Sequence, residues 1–255
     1  IIRDADAAMY VAKQGGRARS AHFDGAMREQ VTRRFVLQTS LRQALSNDSL
    51  AVHLQPICDL GSDTTAGHEA CRVAAFEALA RWGSVPPNEF IPVAEESGLI
   101  VPLGQWVLDE ALRALMVVHE RLPHLPLPRM AVNVSGRQLL ERGFAETTLD
   151  AIATSGIPPE FVVLELTESV LIDPRAEIDR TLGSLREAGV ALALDDFGSG
   201  YSSLGYLRRY PIDTLKLDTS YTQALLTDPG TRIIAESGAL ALRPRGWFRR
   251  LLGFL

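Results

Sequence analysis

The sequence has no broad basic field. Its 255 residues carry 26 lysines and arginines against 31 aspartates and glutamates, a formal net charge of −5. A duplex nucleic acid binds a basic face that replaces its counterions. No duplex partner is therefore expected, and any nucleotide ligand should be small and held in a pocket. Cysteine is scarce. Cys58 and Cys71 are the only two, and they form neither a metal-spaced nor a redox motif, which points to a reducing compartment and a cytoplasmic location. The five histidines are scattered, and no His-x-x-x-His pair suggests zinc. No apolar run is long enough to span a bilayer, and no signal peptide is visible. There is no P-loop and no Rossmann fingerprint. No serine or cysteine sits with a histidine at a strand end, so nothing indicates nucleophilic catalysis.

What is present suits one large α/β domain, or one domain plus a fragment: 46% of residues are hydrophobic and 22% charged. The chain starts at Ile1 without an initiator methionine, so a longer parent protein is expected, and any membrane anchor would lie there. The organising stretch is Leu192 to Leu204. An apolar run from Val190 to Leu194 reads as a buried strand that stops at Asp195 and Asp196. A loop with Gly198 and Gly200 follows, then a short helix opening at Ser202-Ser203. Burying an unpaired carboxylate costs several kcal/mol, so this pair needs a cation or strong donors nearby.

Taken in order, Asp4 to Lys13 reads as a capped helix that Gly15-Gly16 ends, and His22-Phe23 as a short strand. That pattern resembles the last helix and strand of a GGDEF domain, the diguanylate cyclase fold, so residues 1–24 are expected to be a remnant of one. Its signature loop would lie upstream. Gly25 to Ser46 reads as one helix with Met27, Val31, Phe35, Leu41 and Leu45 on a stripe. Residues 25–48 could connect two domains or simply open the second. Strands and helices then alternate. Leu50 to Ile57, Arg72 to Trp82, Met130 to Val134, Phe161 to Leu166 and Thr214 to Leu217 are expected strands. Phe90 to Ala94, Val101 to Arg121, Gln138 to Ala153 and Ala176 to Ala188 are expected helices.

Alternating strands and helices with polar residues at the strand ends mark a (β/α)8-type barrel, whose active site lies at the C-terminal strand ends. Glu77, Asn133, Glu165, Asp195, Asp196 and Lys216 each lie within or at the end of an apolar strand. Each alone has a structural explanation; six on successive strands make six coincidences a poor account. Four carboxylates and an amide oxygen are hard ligands, suited to Mg²⁺ or Mn²⁺. Two such ions can activate a water and stabilise the leaving oxygen of a phosphodiester, with Lys216 offsetting charge on phosphorus. The pattern points to metal-assisted hydrolysis of a small phosphate ester.

The same residues resemble an EAL domain, the phosphodiesterase family that opens cyclic di-GMP to linear pGpG. The naming motif stands as Glu77-Ala78-Leu79, extended by Arg81-Trp82. Gln55-Pro56, Phe90-Ile91-Pro92 through Leu99, Asn133-Val134-Ser135, Glu165 to Ser169, Asp195 to Leu204 and Leu215 to Asp218 follow in order. The resemblance implies a TIM-like (β/α)8 barrel over residues 49–237 and a two-metal Mg²⁺ or Mn²⁺ site. It implies Glu77, Asn133, Glu165, Asp195 and Asp196 as ligands and Lys216 as the water-orienting lysine. Gln55, Leu79, Arg81 and Asp218 would contact cyclic di-GMP, and Glu168 would brace the loop after the two aspartates. A homodimer is a possible assembly.

After Asp228 the family pattern is lost. Its seventh-strand Glu-Gly-Val-Glu and later Gln-Gly-Tyr have no counterpart. Residues 238–255 form a basic and apolar tail in which Pro244 and Gly246 break any helix. The barrel is thus expected to lack its last two strands, leaving Thr214 to Leu217 with an open edge. Membrane contact is expected only weakly through the tail, or through regions outside the chain. Three readings compete: a working phosphodiesterase, an inactive domain that binds cyclic di-GMP or a partner, and a non-functional fragment.

Overall fold

The computed structural model describes residues 25–47, 49–59, 72–172, 175–197, 209–210, 212–218 and 251–252. The expected GGDEF-like remnant, the helix at Ser202-Ser203 and most of the tail lie outside them. The chain divides into two compact units, Ile1–Leu50 with Trp82–Leu99 and Ala51–Arg81 with Ile100–Leu255.

In the first unit, helix α1 (Gly25–Ala44) and helix α2 (Pro87–Ser97) are joined by Arg33–Glu89 at 2.6 Å and Arg34–Glu96 at 3.0 Å. Pro87 opens α2, where a missing N–H costs nothing, and Gly98 closes it at φ 80°. Leu41 is fully buried, but Phe35, placed on the apolar stripe by the sequence, is 69% exposed. Phe35 therefore does not share the buried side of the helix with Leu41.

The second unit is built on one sheet with strand order β1-β2-β3-β4-β5-β6-β7. The strands are β1 (Ala51–Asp59), β2 (Arg72–Arg81), β3 (Arg129–Val134), β4 (Val162–Thr167), β5 (Ala191–Phe197), β6 (Thr214–Leu217) and β7 (Leu251–Leu252). β1 runs antiparallel to β2, and every later pair is parallel. The parallel strands are crossed by α3 (Ile100–Arg121), α4 (Gly136–Leu139), α5 (Phe144–Ser155), α6 (Glu168–Ile172) and α7 (Ala176–Glu187). This is an α/β fold whose curled parallel sheet forms part of a TIM-like barrel. The sequence leaves the far edge of β6 unpaired. Instead Leu251 and Leu252 lie against Leu215 and Lys216, a two-residue apolar strand supplied by the tail.

Alternation along the strands sorts the two faces. Met130, Val132, Leu164, Leu166, Leu192 and Leu194 are almost wholly buried, with α3 against β3 and α7 against β5. The other face carries a small-residue cluster of Ile57, Ala75, Ala131, Val163 and Ala193. Two positions further along β2 to β5 on that face stand Glu77, Asn133, Glu165 and Asp195.

Three local outcomes differ from expectation. The helix expected from Gln138 to Ala153 is two helices, because Gly143 takes the left-handed conformation at φ 82°. β5 does not stop at Asp195 but runs through both aspartates to Phe197. Cys58 is disulfide-bonded, and no described cysteine is free. The cysteine count therefore does not carry the inference of a reducing compartment. No described helix is long and apolar enough to cross a membrane.

One close approach supports the site from behind. Ser135 and Gln138 form a reciprocal capping box at the start of α4, directly after Asn133-Val134. A Cβ on Gly104 of α3 would lie 1.9 Å from Gln138 Nε2. Gly104→Ala should therefore dislodge Gln138 and destabilise the protein by about 1–3 kcal/mol, as overpacking does. Urea unfolding of the two proteins checks this.

Candidate active site

Glu77, Glu165 and Asp195 come from β2, β4 and β5, and one carboxylate oxygen of each lies within 4.8 Å of the others. Lys216 of β6 reaches into the same space. Its Nζ is 2.5 Å from Glu165 Oε2, 3.0 Å from Glu77 Oε2 and 3.3 Å from Asp195 Oδ1. The Asn133 amide donates to Glu77 Oε1 at 2.8 Å. Glu77, Glu165 and Lys216 are buried, while Asp195 is half-buried. The cation that the sequence demands beside these carboxylates is Lys216.

The geometry at β5 comes from a register shift. Leu194 faces Leu215 and Phe197 faces Leu217, so Lys216 stands against two residues, Asp195 and Asp196. Two residues opposing one is the arrangement of a bulge, which re-aims side chains. Asp196 sits at φ 54°, the one non-glycine residue with positive φ among those described. Such strain persists where the surrounding structure imposes it, and it concentrates at functional sites. Asp196 itself is exposed and lies outside the three-carboxylate cluster.

Charge is tightly coupled here. Burial holds the Glu165 carboxyl up at about 8; Lys216 opposes this, and Glu77 and Asp195 add to it. Burial works against the charge on Lys216, but Glu165, Glu77 and Asp195 together outweigh it and raise its pKa well above that of an ordinary lysine. Lys216 is therefore a fixed ammonium that donates hydrogen bonds and does not act as a base. Burial, then Asp195 and Asp218, raise Asp196.

The donor set is three carboxylate oxygens, all hard ligands, in a space that already requires positive charge. It fits a divalent cation. Below about pH 8 an entering cation must displace the Glu165 proton. Mn²⁺ affinity should therefore rise with pH by about tenfold per unit up to that point and then level off. Calorimetric titration across pH 6 to 9 reads this out.

The remaining expected residues are distributed around the cluster. Gln55 is directly opposite Glu77 in the β1–β2 ladder and exposed. Leu79 faces His53, and Arg81 closes β2 with its guanidinium donating to the Ala80 carbonyl at 2.9 Å. Asp218 follows β6, its N–H donating to the Phe197 carbonyl at 3.4 Å. Glu168 is buried at the start of α6. Toward the N-terminal strand ends, a cavity of about 600 Å³ lined by Ile57, Ala75, Ala131, Val163 and Ala193 reaches Glu165 and Lys216. Sequence reasoning does not single out Asp213 or Arg186. A carboxylate just before the strand that bears Lys216 is the signal that was available.

Carboxylates and a lysine gathered on the inner face of a curled α/β sheet, toward the C-terminal strand ends, define the site of a TIM-like barrel protein with an acidic, metal-capable centre. The chain belongs to the EAL domain family, which it matches over residues 38–246. It is 38% identical over 253 residues to the cyclic di-GMP phosphodiesterase PdeR of Escherichia coli (strain K12), covering 95% of this chain and 36% of that protein. It is 36% identical to the bifunctional diguanylate cyclase/cyclic di-GMP phosphodiesterase MucR of Pseudomonas aeruginosa, covering 89% of this chain and 33% of that protein. The chain thus spans about a third of the length of these relatives. Among solved structures, the PaMucR phosphodiesterase in complex with c-di-GMP superposes with a TM-score of 0.69 at 32% identity, covering 82% of each chain. The EAL enzyme Bd1971, bound to cAMP and cyclic-di-GMP, gives a TM-score of 0.71 at 30% identity, covering 81% of this chain and 56% of that one.

Proposed function

We propose that the chain is the phosphodiesterase domain of a cyclic di-GMP signalling protein and hydrolyses cyclic di-GMP to linear pGpG. The observation that carries this reading is the convergence of Glu77, Glu165 and Asp195 on Lys216. The names of PdeR and of the PaMucR complex support the substrate. Glu77, Asn133, Glu165, Asp195 and Asp196 would hold two Mg²⁺ or Mn²⁺ ions. When bound, these ions activate a water and stabilise the leaving oxygen.

The chain's own residues do the rest. The carboxylates set the negative field that concentrates divalent cations. Asn133 fixes one oxygen of Glu77, so the other is presented to the centre. Lys216, held protonated, orients the attacking water and offsets charge on the phosphoryl oxygens. Gln55, Leu79, Arg81 and Asp218 would bind the substrate, and Glu168 would brace the loop after Asp196. The parent is read as a cytoplasmic or membrane-anchored GGDEF–EAL protein able to dimerise. The bifunctional name of MucR supports that domain pairing. The test is chromatography of cyclic di-GMP incubated with the chain and Mn²⁺. Linear pGpG supports the proposal; tight binding without product would show a non-hydrolysing receptor.

A further inference from the structure

We propose that Asp213 is the positioning residue that keeps Lys216 inside the acidic cluster, by locking the register of β6 against β5. This inference rests on the proposed role of Lys216, but its test does not depend on turnover. β6 is four residues long, and its ladder to β5 is interrupted by the shift between Leu194 and Phe197. Its other edge meets only the two residues of β7, so the strand is weakly specified by its own hydrogen bonds. A one-residue slip would send Lys216 to the opposite face and bring a leucine to the cluster, because side chains alternate with period two.

Asp213 supplies the missing specification just before the strand. Its N–H donates to the Leu192 carbonyl at 2.8 Å, and its Oδ2 accepts from the Leu192 N–H at 2.9 Å. Its Oδ1 pairs with Arg186 of α7 at 2.7 Å. One side chain thus joins β6, β5 and the helix that precedes β5. A second latch lies alongside: Arg209 pairs with Asp179 at 2.5 Å, on the same helix about two turns from Arg186. The lead-in to β6 is therefore pinned to α7 at two points. Lys216 is three residues beyond Asp213, too near to move independently of it.

The sequence makes the test clean, because Lys13 and Lys216 are its two lysines. Native protein is acetylated briefly and digested, and the peptide containing Lys216 is quantified by mass spectrometry against the same protein labelled in urea. Lys216 is 3% exposed, so the wild type should label slowly. In folded Asp213→Ala, Lys216 should label at least about tenfold faster, the signature of a local opening. Asp213→Asn keeps an oxygen for the Leu192 N–H and should restore most of the protection. Mn²⁺ affinity should fall and recover in parallel. Wild-type labelling of Lys216 in folded Asp213→Ala would overturn the proposal, as would equal exposure in the Ala and Asn variants. If Asp213→Ala does not fold, Arg186→Gln should raise labelling by a smaller factor, and an unchanged rate there would overturn the proposal equally. Absence of turnover in the wild type would refute the phosphodiesterase reading and leave the labelling result standing.

Discussion

Asp195→Asn should abolish turnover while leaving the fold intact. The change is isosteric and removes one charge from a half-buried position. Lys216 still has Glu77 at 3.0 Å and Glu165 at 2.5 Å, so no buried charge is stranded. The stability change should stay within about 1 kcal/mol, as for most substitutions that create neither a cavity nor an unpaired group. The proposed metal site fares differently. Residues that merely support metal ligands cost about 10–100-fold in affinity or activity when altered, so loss of a ligand should exceed that range. The measurement is kcat for cyclic di-GMP with Mn²⁺, alongside thermal unfolding. Near-normal turnover in the variant would remove Asp195 from the ligand set.

Lys216→Met should damage both the fold and the activity. Lys216 is the buried partner of Glu165 and Glu77, whose side chains are 2% and 8% exposed. Removing one member of a buried ion pair typically costs about 3–5 kcal/mol, because the other charge remains buried. Glu165 limits this loss at low pH, since its carboxyl is already held up at about 8 and takes a proton readily. A native-state pKa above the unfolded value means that the folded protein binds the extra proton. Stability therefore falls as pH rises from the ordinary glutamate range toward that raised value. In the variant this dependence should steepen and extend upward, so the deficit against wild type should be larger at pH 8.5 than at pH 6. Mn²⁺ should recover part of it by supplying the missing positive charge. Melting curves at both pH values, with Mn²⁺ and with EDTA, measure all three effects. A pH-independent deficit that Mn²⁺ does not touch would mean that Lys216 matters only through its packing.

The cluster was legible because its members recur at the ends of apolar strands. Period-two alternation carries Ala75 to Glu77, Ala131 to Asn133, Val163 to Glu165 and Ala193 to Asp195 on one face, and sequence alone reveals that pattern. The long helices were legible for similar reasons: Ile100–Arg121 has a strong apolar face, and Gly189 ends the helix before β5 at φ 98°. What remained hidden depends on three-dimensional neighbours. The antiparallel start of the sheet, the bulge that sets Lys216 against two aspartates, and the Leu251–Leu252 pairing to β6 are matters of register. Local composition does not encode register. Asp213 escaped because an aspartate before a strand has many ordinary uses, and only its bonds to Leu192 and Arg186 distinguish it. The bonded state of Cys58 escaped because it lies in no recognisable cysteine motif.

The most direct test of the account is to follow hydrolysis of cyclic di-GMP by the purified chain while Mn²⁺ is titrated, with bound Mn²⁺ counted by electron paramagnetic resonance. The account predicts that pGpG formation tracks site occupancy, stops when EDTA is added, and is absent at full Mn²⁺ in Asp195→Asn. Full occupancy without pGpG, or turnover that survives the chelator, would contradict it.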